Sequence, residues 1–143
     1  MEKINQYLRP NGRYFLRSEH GDFVCVKNGD FGRDGERHGL VLTSKTHKKE
    51  PLKLVYTSGR IISFYSKNFD GWLRTGKDDN VFLDQNIEGT SKFEPLIGSV
   101  ESDGFVLRTV QCWDNLCARN FILGTWVVAS KDSATRFKFI AAN

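Results

Sequence analysis

Histidine and cysteine are scarce, three of each in 143 residues, and neither type is grouped. Cys112 and Cys117 enclose four residues, but a zinc site of that kind needs a second ligand pair. His20, His38 and His47 lie in separate predicted loops with no spacing that supplies one. A cysteine nucleophile and a histidine base could still meet across a fold. Cys117, however, falls on a strand position equivalent to Val24 and Leu73, where a small buried hydrophobe is the simpler reading. No metal, cofactor or catalytic constellation is therefore expected. No run of eighteen apolar residues occurs, which excludes a transmembrane helix. Met1 to Gln6 lacks the apolar segment of a signal peptide, and there is no Asn-X-Ser/Thr acceptor. The odd cysteine count agrees with a reducing compartment. A cytoplasmic or nucleocytoplasmic protein without membrane insertion is the plain expectation.

Excess charge is also slight. Twenty-one basic residues against seventeen acidic give a formal +4 and a pI near 9.0, with the signs interspersed, so a dedicated nucleic-acid partner is not expected. One dense basic cluster stands out, Lys45, His47, Lys48 and Lys49. It reads either as a solvated loop or as an anion site that gains affinity by releasing counterions. Between Asn28 and Gly39 four glycines occur, but Gly29, Gly32 and Gly35 match neither the dinucleotide fingerprint nor a P-loop, and no helical pattern follows. A long hairpin connection accounts for them better, because glycine supplies the positive φ of such turns.

What is present is a succession of short apolar runs bounded by Gly, Asn and Asp, the pattern of strands joined by turns. Phe64 precedes Trp72 by eight residues, Leu16 precedes Phe23 by seven and Leu107 precedes Leu116 by nine. Ten residues separate Leu42 from Leu52, Leu83 from Phe93 and Val127 from Phe137. Leu52, Phe93 and Phe137 are then 41 and 44 residues apart. This periodicity predicts a single all-β domain over residues 1–143 with little or no helix. It would be built as three four-strand repeats, about 13–60, 61–104 and 105–143, arranged as a β-trefoil of pseudo-threefold symmetry. The length suits one domain with its own core.

The aromatic residues divide by position. Phe15, Phe64, Phe93, Phe137 and Phe139 alternate along predicted strands and read as core. Trp72 occupies the slot of Phe23 and Leu116, where packing is the first reading. Trp113 falls in a turn that no packing pattern explains, beside Asp114, Asn115 and Arg119. An indole face combined with directed donors and acceptors suits a sugar, whose C–H face packs on an aromatic ring while its hydroxyls seek amide and carboxylate partners. The corresponding turn of the second repeat offers Asn68 and Asp70.

Two resemblances add to this. Phe93-Glu94-Pro95-Leu96, Phe105-Val106-Leu107-Arg108-Thr109 and Asp114-Asn115-Leu116-Cys117-Ala118-Arg119 resemble the agglutinin domain of amaranthin-like lectins, as does Ser66 to Leu73. At Asn68-Phe69-Asp70-Gly71 the chain departs from that family's aromatic and lysine pairing. The resemblance implies a non-catalytic lectin for galactose or N-acetylgalactosamine glycans, working as a homodimer because its sites lie between two trefoils. Trp72, Trp113, Asp114, Asn115, Arg119, Asn68 and Asp70 are its candidate binding residues. Phe64-x-Ser66 with Gly71-Trp72-Leu73 and Asp79-Asn80-x-Phe82 is more weakly similar to fascin-type trefoils. That resemblance implies binding to actin or another anionic ligand, with Lys45, His47, Lys48 and Lys49 as the contact.

Overall fold

Alternating burial shows at once how these residues become strands. In β1 (Arg13–Ser18), Tyr14, Leu16 and Ser18 are buried while Arg13 and Arg17 face solvent. The computed structural model describes residues 8–30, 37–76, 79–87, 89–97, 104–122 and 124–142. Among these the further strands are β2 (Phe23–Asp30), β3 (Arg37–Thr43), β4 (Leu52–Ser58), β5 (Ile61–Ser66) and β6 (Gly71–Thr75). They continue as β7 (Val81–Asp84), β8 (Phe93–Ile97), β9 (Phe105–Thr109), β10 (Asn115–Phe121), β11 (Gly124–Ser130) and β12 (Arg136–Ala141). Helix among the described residues is limited to short 3₁₀ turns, Thr46–Lys48 and Gly89–Ser91 being those described in full. None among the described residues is long and apolar enough to cross a membrane. The glycine-rich connection read between residues 28 and 39 lies for its greater part outside the described residues.

The all-β expectation holds, but the trefoil of three equal units does not. All twelve strands belong to one antiparallel sheet, and its ladder closes on itself through ten of them. That circuit runs β10–β11–β3–β7–β6–β5–β4–β1–β12–β9 and back to β10, with β2 and β8 as extra strands inside the network. A shorter circuit also closes through β1, β12, β9, β8, β5 and β4. The hairpins are not caps separate from it. Thr125 pairs with Leu42, Trp126 with Val41, Gly39 with Phe82 and Asn80 with Val128. Sequence spacing reports which residues are buried and is silent about which edges then meet. Unpaired edges carry backbone donors and acceptors that need partners, and these pairings satisfy them. The hairpins are also unequal: seven residue pairs join β10 to β11 and four join β6 to β7.

The core is filled from every strand pair. Leu16, Leu52, Leu54, Ile62, Phe64, Phe93, Leu107 and Phe137 are all fully buried. Phe64 lies 5.9 Å from Phe93 and 6.0 Å from Phe139, centroid to centroid, at the angles aromatic pairs favour. Phe15 is a correction. It faces outward between Arg13 and Arg17, because Tyr14 and Leu16 take the inward positions of β1. At Gly71 a Cβ would stand 2.8 Å from the Leu83 side chain, so the close approach of β6 and β7 leaves room only for glycine.

Candidate functional site

Three turns link the strand pairs β1–β2, β5–β6 and β9–β10, and they are closed by one device. The residue before each turn carries a buried hydroxyl, Ser18, Ser66 or Thr109. Each hydroxyl accepts a backbone N–H from its own turn: His20 at 3.3 Å, Phe69 at 3.2 Å and Asp114 at 3.0 Å. Such side-chain bonds replace ladder bonds that a turn cannot make. Near the end of each loop stands a left-handed residue, Gly21 with φ 100, Asp70 with φ 49 and Trp113 with φ 63. Glycine costs nothing there and Asp tolerates it, but for a bulky aromatic it is an outlier.

Trp113 is thus held in an unfavourable conformation and is 61% exposed. Its amide N–H donates to the Thr109 carbonyl at 3.0 Å. Behind the indole sits Arg108, its guanidinium carbon 4.2 Å from the ring centroid. Glu94 holds that guanidinium at 3.0 Å and also binds Arg60 at 2.9 Å. One face of the indole is therefore braced by a fixed cation, and its exposure belongs to the opposite face and the edges. Asp114 is more enclosed than the sequence implies. Its carboxylate lies 3.5 Å from the Lys131 ammonium, and that ammonium donates to the Cys112 carbonyl at 3.0 Å. Asn115 donates to the Ser133 carbonyl at 3.4 Å.

The other candidates do not join this turn. Asn68 is exposed, but its amide is engaged, donating to the buried Glu50 carboxylate at 3.2 and 3.4 Å. Asp70 accepts the phenolic hydrogen of Tyr65, which raises the Tyr65 pKa. Trp72 packs against the same tyrosine with ring centroids 5.0 Å apart. Arg119 is exposed on β10 opposite Trp126, four residues and roughly 13 Å of strand beyond Asn115. The basic cluster also divides. Lys45, His47 and Lys48 are exposed, whereas Lys49 folds over Phe15 and Phe23 at 4.3 and 5.0 Å. Among the described residues no three His, Cys, Asp or Glu gather as a metal site would require.

Sequence reasoning passed over Glu50, which is 5% exposed and accepts the Ser66 hydroxyl at 2.7 Å. Its place between Lys49 and Pro51 gives it the look of a surface loop residue. The one available signal was that the following Leu52 begins a buried strand. Nearby, burial pushes the Cys25 thiol pKa up; Lys48 pulls it down and Glu50 raises it further.

No known family profile matches the chain, and no curated protein resembles it in sequence. Solved structures do resemble its fold. A salivary protein of the cysteine and tryptophan-rich (CWRC) family from Culex quinquefasciatus superposes with a TM-score of 0.68 at 15% identity, over 90% of this chain and 93% of that one. The Haemophilus ducreyi cytolethal distending toxin gives 0.67 at 12%, over 94% and 85%. Lysenin, in a complex with phosphocholine, gives 0.69 at 12%, over 92% of this chain and 45% of that one. At such identities the likeness shows a shared fold alone. The amaranthin-like and fascin-type resemblances are corrected accordingly, because the closed ten-strand barrel resembles the CWRC, cytolethal distending toxin and lysenin folds instead. The motif residues that carried them serve packing: Phe93 is fully buried, Pro95 pairs with Leu107, and Leu116 and Cys117 are buried.

Proposed function

We propose that this chain is a non-catalytic carbohydrate-binding protein that stacks a galactose-type sugar on Trp113. One observation carries the reading. A largely exposed indole is kept in a left-handed conformation that bulky residues avoid, with a salt-bridged arginine bracing one face. Backbone strain at an exposed aromatic motivates a search for a ligand. An apolar ring face with polar groups beside it suits the C–H face and hydroxyl rim of a galactose or N-acetylgalactosamine unit. Asn115 and the Lys131–Asp114 pair supply the neighbouring polar groups. A single shallow site of this kind is weak, so useful avidity comes from pairing of chains or from multivalent glycans.

The test is a glycan array followed by titration calorimetry with the best galactose or N-acetylgalactosamine ligand. Trp113→Ala is expected to weaken binding about tenfold, the upper end of what an aromatic contact contributes. An array that retains no such glycan, or a Trp113→Ala protein that binds as tightly as the parent, removes the assignment.

A further inference from the structure

A second surface, on strands β1, β4 and β12, carries its own chemistry. The strands β1, β4 and β12 contain no acidic residue, although the chain has seventeen. On their outer face Arg17 stands directly opposite Lys138, and Arg13 directly opposite Lys53. All four are exposed. Like charges directly across a ladder oppose folding, and none of the four makes a salt bridge among the described residues. Between the two cation rows lies an apolar row, Phe15 opposite Ile140, with the Lys49 ammonium seated over Phe15. Arg13 and Arg17 are four residues apart, about 13 Å along the strand. The wall therefore presents cation, apolar and cation rows in sequence.

We infer that this face binds a linear sulfated or uronate-bearing polysaccharide. Such a chain alternates anionic substituents with C–H sugar faces, which matches the order of rows. The open apolar residue of the middle row is Ile140, an aliphatic side chain that can meet a sugar C–H face. The match to single-stranded nucleic acid is poorer, because stacked bases need open aromatic faces and those of Phe15 and Phe23 are taken by Lys49 and Arg17. A planar membrane would touch only a narrow strip of a twisted barrel wall, whereas a flexible chain can follow it. Binding would offset the repulsion that the bare face carries. The site is separate from Trp113 and does not depend on the sugar reading proposed there.

The experiment uses the full chain and a size-defined heparin oligosaccharide, with four comparisons: the same oligosaccharide desulfated, a single-stranded DNA of matched charge, anionic phospholipid vesicles, and Trp113→Ala protein. The double variant Lys53→Gln/Lys138→Gln removes two cations that make no salt bridge among the described residues. Heparin affinity is expected to fall at least tenfold in it, and the slope of log K against log salt to lose about two. Its melting temperature should hold or rise by about 1–3 °C, since like-charge repulsion is relieved. Trp113→Ala should bind heparin as the parent does. Undiminished binding by the double variant, equal retention of the desulfated chain, or tighter binding to DNA or vesicles would each overturn the inference.

Discussion

Ser66→Ala and Ser18→Ala remove the same atom from the same slot of two turns, yet their costs should differ severalfold. Each hydroxyl accepts one turn amide, and losing that bond costs about 0.5–1.5 kcal/mol. Ser66 in addition donates to Glu50 at 2.7 Å, inside the protein where neither group reaches water. A hydrogen bond to a carboxylate contributes about 1.5–3 kcal/mol, and among the described residues the acceptor left behind keeps the longer Asn68 contacts. Ser66→Ala should therefore cost roughly 2–4 kcal/mol, against about 1 for Ser18→Ala. For a chain of this size that is a fall in melting temperature of about 5–12 °C against about 3 °C. Urea unfolding with unchanged m-values measures both. A double-mutant cycle pairing Ser66→Ala with Glu50→Gln isolates the shared bond and should return a coupling above about 1 kcal/mol. Costs within about 0.5 kcal/mol of each other, or a cycle that closes to zero, would show that the buried carboxylate contributes nothing to this turn.

Trp113→Gly should be more stable than Trp113→Ala by about 1 kcal/mol, because both lose the indole and its Arg108 contact but only glycine is at ease at φ 63; chemical denaturation of the pair decides this. The Cys25 thiol is raised above 9.0 chiefly by burial, so the folded chain holds that proton more tightly than the unfolded one. Stability from this group is thus full below pH 9 and declines as pH rises through the folded value. A Cys25→Ala protein should lose that part of the alkaline decline in a melting series from pH 8 to 10.5.

Much of the fold could be read from the order of apolar and polar residues, because alternation directly records which side of a strand is buried. Leu52, Phe93 and Phe137, found by spacing alone, are all fully buried. The way the hairpin edges join one another to close a ten-strand ladder was not readable. Pairings such as Gly39 with Phe82 depend on where two hairpins arrive in space, and neither residue type states a partner. At the site, Trp113 was legible because its size had no packing reason in a turn. Asn68 misled because a polar turn residue looks solvent-bound in sequence, while its real partner, Glu50, lies eighteen residues away and is buried.

Gly21, Asp70 and Trp113 fill one geometric role, the left-handed residue that returns the chain to its partner strand. Glycine meets that role without side-chain cost, and Asp70 recovers part of its cost through Tyr65. Trp113 is met instead by Arg108, an arginine held in place by Glu94 and, through Glu94, linked to Arg60. Folding alone would be served as well by the simpler residue. The added ion pairs instead fix the direction of an exposed indole, and orientation matters only to something that meets the ring from outside. The turn that looks least economical as a turn is for that reason the one to which a ligand is assigned.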